Sequence, residues 1–237
     1  MRDGFDDWPG DETLKQARIV AVTAERQAGI PESFFELRQT FAEPCVEHWK
    51  IPSPFILPLH RELRTLGVEI NDFSFNKDAA NVGDLHLNVT IRKMNAAVRI
   101  GLDTVTYIAA NPSWDKATEL VTLFDKLSEL LSRLIGSIPA SQKSTLALHV
   151  SPGSADFEVK TRQLIASDLG SGSIFCGISV HRPDSALIID KSLKYDGAAF
   201  IRLERIFGGD TAIAEIAAAT YEDELTALRL LGIPAIP

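Results

Sequence analysis

An α+β fold is what this sequence predicts: an antiparallel sheet with two long helices on one of its faces. Three observations predict it. Between 112 and 136, Leu120, Leu123, Phe124, Leu127, Leu130, Leu131 and Leu134 recur at three- and four-residue steps, one side of a long helix. Before it the apolar period drops to two, with Leu87, Val89 and Ile91 alternating with His86, Asn88 and Thr90. The links between such runs are short, which favours antiparallel pairing, because a parallel pair needs a long crossover.

In chain order, residues 1–12 hold five acidic side chains, two glycines and a proline, and read as a flexible acidic leader. The segment 13–66 reads as mixed and helical. Pro31 suits the first turn of a helix through Phe34, Phe35, Leu37, Arg38 and Phe41. Three prolines between Ile51 and Pro58 exclude regular structure there, and His60 to Leu66 reads as a short helix. Residues 67–237 carry the α+β domain. Its first strand runs through Val68 and Ile70 and on to Phe73 and Phe75, with the parity broken near Asp72, and its second from Leu85 to Ile91. A tight turn at Lys93–Asn95 leads to one long strand from Val98 to Ile108, with a bulge at Gly101.

Ser113 then caps the long helix, Asp115 sits near its positive end, and Gly136 closes it. Further strands follow near 146–150, 157–164, 174–180, 186–190 and 197–207. A second helix carries Ile213, Ile216, Ala217, Tyr221, Leu225 and Leu228 and stops at Gly232. Hairpin, strand and helix thus occur twice, in 67–136 and 145–232, a coarse pseudo-duplication.

The chain has 237 residues, 45% of them apolar, enough for a core without staples. Its net charge of -8 disfavours a nucleic-acid binder. No apolar run is long enough for a membrane span, so the reading excludes a membrane partner. Two cysteines, Cys45 and Cys176, form no disulfide framework and fit a cytoplasmic protein.

No phosphate-binding loop or nucleophile elbow occurs. Gly170-Ser171-Gly172-Ser173 reads as a plain loop. Cys45, His48 and His60 offer too few ligands at matching spacing for zinc, so no metal and no cofactor is expected. His86, His149 and His181 each point away from the apolar side of their strands; gathered on one face they would form a metal or acid–base site. Arg92, Arg99, Arg202 and Arg205 are candidates for an anion-binding surface, and Trp114 for a ligand platform.

The run V-R-I-G-L-D-T-V-T-Y-I-A-A-N-P-S-W, followed directly by the Leu-rich helix, resembles a family of uncharacterised, sporadically distributed bacterial proteins. The resemblance covers about residues 97–135. It implies a fold, with a strand running into the helix start, and carries no site residues.

The leading functional expectation is a non-enzymatic binding or protein-interaction module with a groove between sheet and helices, taking a protein or small ligand. Exposed strand edges suit a homodimer. The alternative is an enzyme using the three histidines on the open sheet face.

Overall fold

A computed structural model describes residues 30, 32–49, 54–76, 82–112, 117–151 and 177–231. Among them lie nine strands: β1 (Glu32–Thr40), β2 (Phe73–Asn76), β3 (His86–Ile91), β4 (Ala96–Ile100), β5 (Thr104–Ala110), β6 (Ser141–Val150), β7 (Ile178–His181), β8 (Ser185–Lys191) and β9 (Ala199–Gly208). Three α-helices join them: α1 (Ile56–Leu63), α2 (Ala117–Ile135) and α3 (Ile213–Leu230). The strands form one sheet in the order β2-β3-β4-β5-β1-β6-β9-β8-β7, antiparallel throughout. The α+β class, the antiparallel sheet and the long helices on one face match the sequence reading.

The helix expected through Phe34–Phe41 is instead β1, at the centre of the sheet between β5 and β6. Phe34, Phe35, Leu37 and Phe41 imitate helical spacing. The pattern that wins has a period of two: Ser33, Leu37 and Gln39 are buried under the helices, while Arg38 is exposed. Ladders to β5 over Phe34–Thr40 and to β6 over Glu32–Thr40 then pair the β1 backbone on both sides. The segment 13–66 therefore contributes a strand to the sheet of the following domain.

The single strand expected from Val98 to Ile108 is two. The Gly101 amide donates to the Thr104 carbonyl at 2.7 Å and turns the chain between β4 and β5. Regular structure also starts earlier than expected near 56. Pro58 lies in the first turn of α1, where its missing amide hydrogen breaks no bond. Of the first expected strand, only Phe73–Asn76 is strand, after a short 3-10 turn at Ile70–Asp72. The strand expected near 157–164, the loop at 170–173, the Ser113 cap with Asp115, and Gly232 lie outside the described residues.

Leu120, Phe124, Leu127 and Leu131 of α2 are buried against Leu37, Val98, Val105 and Tyr107. Gly136 takes φ 77°, and the Gly136 and Ser137 amides both return to the Ser132 carbonyl, closing the helix as its glycine predicts. α3 covers the other half, with Ala227 and Leu228 on Leu146, Leu148 and Ile201. Phe35 packs against both halves of the core. Where α3 leaves β9, a Cβ on Gly209 would stand 1.8 Å from the Pro139 carbonyl oxygen, so only glycine lets the two loops touch.

A polar cluster sits at the middle of this apolar layer. The Gln39 amide donates to Ser128 Oγ at 2.8 Å and to Gln142 Oε1 at 2.9 Å, and its oxygen accepts the Tyr107 hydroxyl at 3.1 Å. Gln142 Nε2 in turn reaches the Thr211 carbonyl at 2.7 Å, which pins the entry to α3. Burial pushes the Tyr107 hydroxyl well above its ordinary value, so it remains a donor.

Candidate functional site

The space between sheet and helices is occupied by side chains: Leu37, Tyr107, Phe124 and Leu127 are each 1% exposed or less. A groove of 390 Å³ lies elsewhere, between α1 and α2, lined by Glu62, Leu66, Met94, Glu119, Leu123 and Lys126. The opposite face of the sheet is different. Its side chains alternate with the core positions, and nearly all of them are half-buried or exposed.

Strand register arranges that open face in rows. One row, read across β3, β4, β5, β1, β6 and β9, is Asn88, Arg99, Thr106, Arg38, Lys143 and Ile206. Arg38 and Lys143 are directly opposite one another. Like charges in that relation oppose pairing of the strands. The next row holds Ala97, Ile108, Glu36, Thr145 and Glu204, and the one beyond it Ala110, Phe34, Ala147, Arg202 and Ile188.

Among the described residues, few acids answer the cations of the first row. Lys143 meets Glu204 at 2.9 Å, and Arg202 shares the same carboxylate. Partial burial works against the Glu204 charge, yet Lys143 and Arg202 hold its carboxyl below the ordinary value. Arg99 donates to the neutral Asn88 Oδ1 at 3.0 Å. Among the described residues, Arg38 makes no ion pair. Thr106, between the two arginines in register, is only 8% exposed.

The three histidines do lie on the open face, as alternation predicts, but the strand order keeps them apart. β3 is four strands from β6, and β6 three from β7. At about 4.8 Å per strand those gaps are roughly 19 Å and 14 Å. His86 Nδ1 is 2.8 Å from the Asp84 carbonyl, and His181 Nε2 is 2.6 Å from Ser179 Oγ.

His149 has the richest surroundings. It stands opposite Glu32 in register, 5.2 Å from the rings of Tyr195 and Phe200. Its Nδ1 is 2.9 Å from Ser192 Oγ. That oxygen already accepts the amides of Lys194 at 3.2 Å and Tyr195 at 2.9 Å. With both lone pairs taken, the hydroxyl hydrogen goes to Nδ1, and the serine locks a loop rather than presenting a nucleophile. Glu32 accepts from Lys194 and from the Tyr195 hydroxyl, the latter at 3.3 Å.

The four arginines singled out from sequence do not converge. Arg92 pairs with Asp72 at 3.0 Å beside the β2 edge. Arg99 and Arg202 share the open face. Arg205 points to the covered side, where it meets Asp223 of α3 at 3.3 Å and lies over Phe207. Burial pushes the Asp223 carboxyl up, against Arg205.

The Cys45 thiol faces the Leu102 carbonyl at 2.8 Å, while His60 lies against Phe73. Burial pushes that thiol up as well. Among the described residues no group of three His, Cys, Asp or Glu could hold a metal ion. Trp114, Cys176 and the side chain of His48 lie outside the described residues.

Sequence reasoning missed Arg38 and Lys143. The signal was there: F-F-E-L-R-Q-T and S-Q-K-S-T-L-A-L-H-V alternate with a period of two, which puts both cations on the face away from the core.

No protein-family model matches the chain. No curated protein matches it either. A solved Bacillus halodurans protein, assigned provisionally as an adenylate cyclase, is 10% identical over 96% of this chain and 87% of that one, with a TM-score of 0.13, too low to carry any argument. No described helix is long and apolar enough to cross a membrane.

Proposed function

We propose that this protein is a non-enzymatic interaction module whose docking surface is the open face of the sheet. The observation that carries the reading is the row of cations at the centre of that face, two of them opposed across β1 and β6. Strand pairing gains nothing from this arrangement, so the support for it comes from something laid on the face. Half-buried Phe34, Ile108 and Ile188 beside the row would supply apolar contact area. The helix side, filled by its own core, offers less. Edge pairing with a second copy also has little ladder to use, because β2 and β7 at the two edges are four residues each. The enzyme alternative loses its motive once the strand order sets neighbouring histidines roughly 14 Å and more apart.

Photo-crosslinking from position 108 on the open face, compared with position 57 on the exposed side of α1, tests the reading. The partner recovered is then purified and titrated against the protein and its Ile108→Glu variant. Adducts from 108 alone and at least roughly tenfold weaker binding by the variant are expected. Equal adducts from both positions, or unchanged binding, would overturn it.

A further inference from the structure

We infer that the row formed by Arg99, Thr106, Arg38 and Lys143 takes a carboxylate-rich segment of a partner protein. The inference rests on the open face being the docking surface and names the chemistry of what docks. The chain has 32 acidic and 24 basic residues, so acids to neutralise the row were plentiful. Among the described residues only Glu204 meets the row, at Lys143. Arg38 has no ion pair among the described residues, Arg99 has a neutral partner, and Lys143 shares one carboxylate with Arg202.

Spacing suits carboxylates. Adjacent strands set Arg38 and Lys143 about 5 Å apart at the backbone, and Arg38 and Arg99 about 10 Å apart. Carboxylates one helical turn apart are at about 5–6 Å, and guanidinium forks bind them through two parallel hydrogen bonds. Polyphosphate fits less well. Glu36 and Glu204 stand one row away, about 7 Å along the strands, and a uniformly anionic backbone would meet them. A polypeptide can place acids on the cation row and apolar side chains over Ile108, Phe34 and Ile188.

The test uses the full chain and a fluorescein-labelled helical peptide with Glu at every fourth position and Leu at the position after each Glu. Its twin with Gln for Glu, a single-stranded oligonucleotide and inorganic phosphate serve as competitors. Fluorescence anisotropy should show the Glu peptide bound and the Gln twin weaker by tenfold or more. Arg38→Gln and Lys143→Gln should each weaken binding roughly tenfold, the loss of one charge-assisted pair. Arg38→Lys should fall between, and Arg92→Gln at the edge should change nothing. Circular dichroism checks that each variant is folded. Equal binding of the Gln twin, or no effect of Arg38→Gln, overturns the inference. Displacement of the peptide by the oligonucleotide at equal concentration also overturns it, in favour of a phosphate ligand. If the acidic peptide fails while the partner crosslinked at 108 still binds, the chemistry is wrong and the docking face stands; failure of both removes both.

Discussion

Strand β1 looks two ways, and its two sides treat polar groups in opposite fashion. Towards the helices, Gln39 spends both amide hydrogens and its oxygen on Ser128, Gln142 and Tyr107. Thr220 of α3 likewise gives its hydroxyl to Ser144 at 3.1 Å or to the Ile216 carbonyl at 2.8 Å. On the open side, Arg38 stands opposite Lys143, and among the described residues it makes no ion pair. A buried polar group left unpaired costs about 1–3 kcal/mol, so the inner side is forced to be complete. An exposed charge is solvated and bears no such penalty, so the outer side is free to serve something other than stability.

The sharpest way to break this contrast is to damage the inner side alone. Phe124 is 1% exposed and its ring lies 5.2 Å from that of Tyr107. Phe124→Ala should cost about 3–5 kcal/mol by urea unfolding, the transfer loss plus the cavity left behind. Binding of the acidic peptide by the folded fraction should not change. Gln39→Ala comes next. It strands the Tyr107 hydroxyl and Gln142 Oε1 and should cost about 1–3 kcal/mol. A Gln39→Ala variant as stable as the parent would mean that the cluster contributes nothing to the fold.

The same contrast explains what could be read from sequence. The α2 stripe was legible because its inner positions are Leu and Phe at regular spacing, and Gly136 marked its end. The α3 stripe was legible only in part. Its buried face includes Thr220 and Glu224, which look like surface residues until their setting is known. β1 was misread because Phe34 lies on the open face, so the apolar residues of 34–41 do not all report one side. Alternation did place all three histidines on the open face. What alternation cannot contain is strand order. That order puts β1, from the start of the described chain, between β5 and β6, and so brings Arg38 beside Lys143 while it separates the histidines.

On the outer side the sign of the effect should reverse. Arg38→Thr removes one of two like charges and places a strand-favouring residue opposite Lys143 and next to Thr106. Urea unfolding should show a gain of roughly 0.2–1 kcal/mol together with loss of the acidic peptide. A variant that loses stability instead would mean that Arg38 is held by contacts within the fold, and the two sides of β1 would no longer differ in kind.

The smallest effect belongs to an outer-side pair that is matched, Glu32 with Lys194. The Lys194 ammonium holds the Glu32 carboxyl below its ordinary 4.5, with burial working the other way and the Tyr195 hydroxyl helping. Glu32 in turn raises Lys194 above 10.5. A depressed acid adds stability above its unfolded value and loses it as pH falls through the folded one. A raised base adds stability below its unfolded value and loses it as pH rises through the folded one. The pair should therefore contribute across the window from 4.5 to 10.5 and fade beyond both ends. Both side chains are well exposed, so solvent screens the amplitude. The stability difference between the parent and Lys194→Gln, followed against pH, should trace a plateau with two falling limbs, and the Glu32 carboxyl in the variant should titrate closer to 4.5 by NMR. A difference that is flat with pH would show that matching charges on this face gains the fold no more than opposing them loses, and the placing of Arg38 opposite Lys143 would then need no ligand to account for it.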